Sequence, residues 1–144
     1  MRYRLPTLAF LFIATASAAR AQFTKTIHAT FSARGIERVD LGVVDSVTVE
    51  PWAGDMILIQ SDVRVYQASE SLFEYLVGEA DRYGVISSRE GATLHLLSTE
   101  PERRTIQARA GTVREEVTVK VLLPEEFTGE GRGPYVRQTD EHGR

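Results

Sequence analysis

Ser46-Val-Thr-Val-Glu-Pro-Trp52-Ala-Gly-Asp-Met56-Ile-Leu-Ile-Gln-Ser-Asp-Val-Arg-Val-Tyr66 is the stretch whose reading decides the fold class. Val47 and Val49 alternate with Thr48 and Glu50. A period of two in β-branched residues marks a strand with one buried face. Ala53-Gly54-Asp55 reads as a short loop whose glycine is free to take positive φ. The spacing therefore predicts a hairpin of Ser46–Trp52 with Met56–Tyr66, Trp52 opposite Met56 and Val49 opposite Ile59. Met56-Ile57-Leu58-Ile59 is apolar on both faces, the mark of a central strand covered on both sides.

The segment that follows supplies a cover. Leu72, Phe73, Leu76, Val77 and Ala80 fall on one stripe of a helical wheel. Ser71-Leu-Phe-Glu74 has the capping-box pattern, so a helix is expected over about Ser69–Ala80, with Gly78 weakening its last turn. Phe73 and Leu76 are expected to bury against Met56, Leu58 or Trp52.

Further strands lie on either side. Phe23–Phe31 alternates, with Phe23, Ile27, Ala29 and Phe31 on one face, and Ile36–Val43 follows after a turn at Ser32–Gly35. Arg82–Ser88 and Ala92–Thr99 read as a hairpin around Glu90-Gly91, pairing Val85 with Leu96 and Ser87 with Leu94. Thr105–Ala110 and Val113–Leu123 read as a last pair around Gly111-Thr112, ended by Pro124, which cannot donate to a ladder. The fold class is thus mainly β, an antiparallel two-layer β-sandwich-like domain with one covering helix.

The ends have a different character. Arg2 and Arg4 precede an apolar run from Leu5 to Ala16, and small residues lead to Ala19-Arg-Ala21. This is the order of a secretory signal peptide, too short to span a bilayer. Residues 1–21 are read as that signal, cleaved near Ala21, and residues 22–127 as the β-domain. Thr128–Arg144, with four of its residues glycine and Tyr135 and Val136 its only large apolar side chains, is read as a disordered tail. Export to a bacterial periplasm or cell surface is the expected localisation, because the chain has no cysteine with which to build a disulfide framework.

Removing the three arginines of residues 1–21 takes the net charge from −3 to −6. An acidic domain is repelled by phosphate backbones and anionic lipid, so nucleic acid is not an expected partner. No apolar segment after the signal approaches membrane length.

The chemistry-bearing residues are sparse. His28 and His95 lie on the polar faces of their strands, too few for a zinc site. Ser87 or Ser88 with His95 and a carboxylate would need a nucleophile elbow to act as a triad, and G-x-S-x-G is missing. Glu115 and Glu116 point to opposite faces of one strand and cannot converge on a bond; they read as solvated charges or edge gatekeepers. Arg103-Arg104 reads as a solvated loop. No catalytic residue, cofactor or metal is expected. Trp52, the single tryptophan, either packs under the helix with Met56 and Leu58 or stands on the surface as an anchor; Trp52 and Tyr66 are the candidate partner-binding residues. The alternatives are a small-ligand pocket between the helix and Met56–Tyr66, and a hydrolase.

Phe31-Ser-Ala-Arg-Gly-Ile36-Glu-Arg-Val39, Ser46-Val-Thr-Val-Glu50, Trp52-Ala-Gly-Asp55-Met-Ile57 and the late strand Glu116–Pro124 together resemble an exported bacterial family, the adhesins of the auto-transporter head GIN-domain type. The resemblance covers roughly Phe31–Phe127. It implies the leading β-domain of such a protein without its repetitive β-solenoid, a non-catalytic binding role at the cell envelope, and no catalytic residues.

Overall fold

A computed structural model describes residues 22–139. The signal-peptide reading of residues 1–21 and the last five residues of the tail lie outside them. The chain forms eleven strands and one helix among the described residues: β1 (Gln22–Ser32), β2 (Arg38–Gly42), β3 (Ser46–Trp52), β4 (Met56–Tyr66), α1 (Glu70–Val77), β5 (Val85–Glu90), β6 (Thr93–Ser98), β7 (Gln107–Ala108), β8 (Gly111–Thr112), β9 (Arg114–Pro124), β10 (Phe127–Thr128) and β11 (Tyr135–Arg137). They assemble into a four-stranded sheet of order β1-β4-β9-β3, a five-stranded sheet of order β10-β11-β2-β6-β5, and a small ribbon of β7 and β8. The mainly β, sandwich-like architecture with one helix is the one the alternation predicts.

The pairing differs from that prediction. β3 and β4 begin and end where the sequence places them, but they form no hairpin. β9 lies between them, parallel to β3 and antiparallel to β4. Val49 and Ile59 therefore both flank Val121 instead of facing each other. The loop at residues 53–55 crosses the end of β9, where Trp52 sits beside Pro124 and its carbonyl accepts from the Glu125 N–H. Period-two alternation decides which face a residue takes and leaves its neighbouring strand open. A second parallel pair joins β2 to β6, with Val39 beside Leu94 and Leu41 beside Leu96, so the sheets are mixed, not purely antiparallel.

Two further registers are corrected. The β5–β6 hairpin turns at Gly91-Ala92, two residues away from the predicted pairing, so Val85 faces Ser98 and Ser87 faces Leu96. Gly91 takes φ +59°, which the first position of a two-residue hairpin turn favours. A shift of two keeps every side chain on its predicted face. Residues 105–110 meet 113–123 only through the hydrogen bond from the Val113 N–H to the Ile106 carbonyl at 2.9 Å. Gln107-Ala108 folds onto Gly111-Thr112, and β9 is released to fill the centre of the large sheet.

The core lies between the two sheets. Ile57, Ile59, Val119, Val121 and Leu123 on one side meet Val39, Leu41, Leu94 and Leu96 on the other. A second cluster lies under α1, where Phe73 and Leu76 bury against Val63, Val65, Tyr83 and Val113, and Phe73 stacks on Phe23 at 5.4 Å between ring centroids. The helix thus covers the odd-numbered face of β4, not the Met56–Leu58 face. Gln67, at φ +62°, turns the chain to that side as β4 ends. Ser69 caps the helix, its Oγ accepting from the Leu72 N–H at 3.2 Å; Ser71 of the expected capping box sits inside the first turn, and the helix stops at Gly78. Leu76 is 4 % exposed. Leu76→Ala is expected to lower stability by about 2–5 kcal/mol, read as a shifted midpoint in chemical denaturation; a change of about 0.5 kcal/mol, typical of a surface site, would contradict this packing.

The segment after Thr128 is not a free tail. Tyr135–Arg137 forms β11 between β10 and β2, and Tyr135 is buried in the main core. Arg137 donates to the carbonyls of Ile36 and Ala33 at 2.8 Å each. The folded domain therefore continues past residue 127.

A polar network ties the 100–104 connection to β9 and to the loop after β2. Arg82 grips Glu115 with two hydrogen bonds, at 2.6 and 3.1 Å, and also donates to Glu100 and to the Arg104 carbonyl. The Tyr83 hydroxyl donates to Glu115 at 2.6 Å. Arg103 pairs with Asp45 through both carboxylate oxygens and donates to the Arg82 carbonyl. Glu115 and Arg103, expected to be solvated, are half-buried and paired because β9 is an inner strand and the 100–104 connection folds back onto it.

Candidate functional site: the open face of the four-stranded sheet

One face of the four-stranded sheet packs on the core; the other has no layer over it among the described residues. The even-numbered residues of β1, β3, β4 and β9 point that way, and the registers set them in rows. Thr26, Asp62, Thr118 and Ser46 form one row, and His28, Gln60, Lys120 and Thr48 the next. Thr30, Leu58, Leu122 and Glu50 follow, and Met56, beside Ser32, closes the face near Pro124 and Trp52.

Chemically the face divides in two. At one end Met56, Leu58, Leu122 and Trp52 are half-buried, an apolar patch that no helix covers among the described residues. The middle is a shallow concavity of about 780 Å³ lined by Thr24, Thr26, Asp62, Arg64, Glu116 and Thr118. The Thr26 hydroxyl donates to Asp62 at 2.7 Å, and the Gln60 amide to its other oxygen at 3.2 Å. These bonds, Thr26 first, hold the Asp62 carboxyl below its ordinary value. Asp62 is thus an ionised acceptor fixed in orientation, surrounded by hydroxyls that both donate and accept.

The two predicted anchors lie on this face but apart. Trp52 is half-buried at the apolar end. Its indole N–H donates to the Met56 carbonyl at 2.8 Å, and its ring lies so close to Gly54 that a Cβ there would sit 1.9 Å from it. It neither packs under the helix nor stands free; it is pinned over its own loop. Tyr66 closes the other end, its hydroxyl donating to Glu116 at 3.2 Å and the Arg114 guanidinium 4.1 Å above its ring. Met56 and Tyr66 are ten residues apart on β4, so the anchors are separated by about 33 Å at the rise of an extended strand. The sequence names the two ends of the face; its polar middle goes unnamed there, and the alternation of Gln60, Asp62 and Arg64 with apolar residues is its only signal.

The space between α1 and β4 is filled by Phe73, Leu76, Val63 and Val65. A smaller crevice of about 290 Å³ opens instead between α1 and β1. On the outer face of the other sheet, Ser88, His95 and Asp40 do fall in one row across β5, β6 and β2. His95 Nδ1 lies 3.6 Å from Asp40, but its Nε2 faces Glu90 at 3.5 Å and not the Ser88 beside it in the ladder. Among the described residues no group of three or more His, Asp or Glu side chains is placed to hold a metal ion, and no helix is long and apolar enough to cross a membrane. Compared with family models, with curated proteins and with solved structures, the chain has no match.

Proposed function

We propose that this chain is an exported, non-catalytic binding domain whose open four-stranded face takes a protein or polymer partner at the bacterial cell envelope. The observation that carries the reading is the face itself: a half-buried apolar patch at Met56, Leu58 and Leu122, continuous with a polar trough built around a fixed carboxylate. A half-exposed apolar patch rimmed by polar groups is the usual mark of an interaction surface. The length of the face suits an extended chain laid along β4, touching the Trp52 end and the Tyr66 end together. The signal-like residues 1–21 and the resemblance to exported adhesins support the envelope as the place.

The test is capture from an envelope extract by the immobilised domain. Leu58→Gln with Asp62→Lys changes both halves of the face without touching the core, and is expected to abolish capture at an unchanged melting temperature. Tyr75→Ala, on the exposed side of α1, is the control and leaves capture intact. Recovery of nothing above background by the parent domain, or full capture by the face variant, overturns the proposal.

A further inference from the structure

We infer that the outer edge of β1 pairs with the β1 edge of a second copy of this chain, joining two four-stranded sheets into one of eight. Among the described residues four strands end the two large sheets, and three of them are blunted. β3 carries Glu50 and Pro51, β10 has two residues, and β5 has six and ends in Arg89-Glu90. β1 is different. It runs eleven residues in unbroken register with β4, from Gln22 opposite Tyr66 to Ser32 opposite Met56, with no bulge and no proline. Lys25 is its only residue of fixed charge. Proteins normally protect a long, flat edge of this kind, because its unpaired N–H and C=O groups template another strand.

The occupant is read from the strand itself. Gln-Phe-Thr-Lys-Thr-Ile-His-Ala-Thr-Phe-Ser is nearly palindromic about Ile27. An antiparallel pair with its two-fold axis at Ile27 uses all eleven residues. It sets Phe23 against Phe31 of the other copy, Thr24 against Thr30, Thr26 against His28 and Gln22 against Ser32. Aromatic pairs and hydroxyl pairs of this sort are the favourable cross-strand contacts. Lys25 meets Ala29, so the two ammonium groups stay about 13 Å apart along the strands. Phe23, Ile27, Ala29 and Phe31 are only half-buried in the single chain. The crevice between α1 and β1, lined by Phe23, Phe73 and Val77, opens where this register delivers Phe31 of the other copy. Glu70 and Glu74 rim that crevice, and the exposed Arg34 follows Phe31 by three residues, which brings opposite charges together. The contact is isologous, the same patch on both copies, and closes as a dimer.

The experiment uses the isolated domain without any partner, so its result is independent of the binding role of the open face. Sedimentation is expected to show a monomer–dimer equilibrium in the micromolar range. The chain has no cysteine, so single cysteines report contacts cleanly. A mixture of Thr24→Cys and Thr30→Cys proteins is expected to form a disulfide heterodimer on mild oxidation, while neither protein alone cross-links at a comparable rate. Thr26→Lys with His28→Lys places like charges opposite each other twice across the junction, on the exposed face, and is expected to raise the dimer dissociation constant about tenfold. A strictly monomeric protein, or cross-linking that is as fast within each single variant as between them, overturns the inference.

Discussion

Glu115→Ala is expected to destabilise the domain by about 3–5 kcal/mol, the loss that follows when one partner of a buried ion pair is removed. Three donors converge on that carboxylate. Arg82 Nε and Nη2 reach its two oxygens, and the Tyr83 hydroxyl shares one of them. The Arg82 side chain is 6 % exposed and Glu115 16 %. Without the carboxylate, a guanidinium and a phenol remain in a space that water barely reaches, and Glu100, at 40 % exposure, is a poor replacement. Equilibrium denaturation measures the change; a loss under about 1 kcal/mol, the range of an exposed pair, would show that solvent already screens it. Arg82→Met with Glu115→Leu and Tyr83→Phe is expected to recover most of the stability. Apolar replacement of a whole buried polar cluster is often neutral or better.

The same carboxylate makes the fold acid-sensitive. Burial alone would raise the Glu115 pKa, but the hydrogen bonds from Arg82 and Tyr83 and the charge of Arg82 outweigh it and hold it below the ordinary 4.5. A folded-state pKa below the unfolded one means that the unfolded chain binds the proton more readily. The stabilisation is therefore complete above about pH 4.5 and is lost as the pH falls through the lower, folded value. The Arg82 pKa is raised by the same partner, far above any working pH, and does not enter this window. Melting temperature against pH should fall less steeply below 4.5 in Glu115→Gln than in the parent chain.

What was legible in the sequence is the set of faces, and what was not is the set of neighbours. Val47 and Val49, Ile57 and Ile59, and Val117, Val119, Val121 and Leu123 all point inward as the alternation requires, because a strand's side chains can only alternate. Nothing in Ala53-Gly54-Asp55 distinguishes a hairpin turn from a loop that steps over a third strand, and β9, which begins only at Arg114, takes the place between β3 and β4. The helix was legible from its stripe, and Phe73 and Leu76 are buried as expected. Which face of β4 they cover depends on the turn at Gln67, whose positive φ no residue type announces. Glu115 reads in isolation as one more strand carboxylate; only the return of the 100–104 connection, set by Arg103 on Asp45, buries it. The candidate site was half legible. Trp52 and Tyr66 mark its ends, whereas the trough between them exists because four strands, distant in sequence, bring their polar positions into common rows.

Residues 129–139 provide the sharpest contrast between composition and structure, and truncation after Thr128 is expected to lower stability by about 3–5 kcal/mol, the cost of losing a buried aromatic side chain. By composition the segment is glycine-rich and charged, and a free tail of that kind would contribute under about 0.5 kcal/mol. Two side chains change the outcome. Tyr135 is 7 % exposed, sits opposite Val39 in the ladder, and donates its hydroxyl to the Gly131 carbonyl at 2.6 Å. Arg137 crosses the start of β2 to reach the Ile36 and Ala33 carbonyls, pairs with Glu126 at 2.6 Å, and lays its guanidinium 4.6 Å above the Phe127 ring. Arg132 adds bonds to the Val43 and Asp45 carbonyls. The glycines serve this docking: Gly129 packs so close to the Pro134 carbonyl that a Cβ would sit 2.4 Å from it, and Gly131 and Gly133 take positive φ. Tyr135→Ala alone should account for most of the loss. Tyr135→Phe, which keeps the ring and removes only the hydrogen bond, should cost about 1 kcal/mol. If the truncated chain melts with the parent, the edge of the five-stranded sheet is β2, and the segment is the free tail its composition describes.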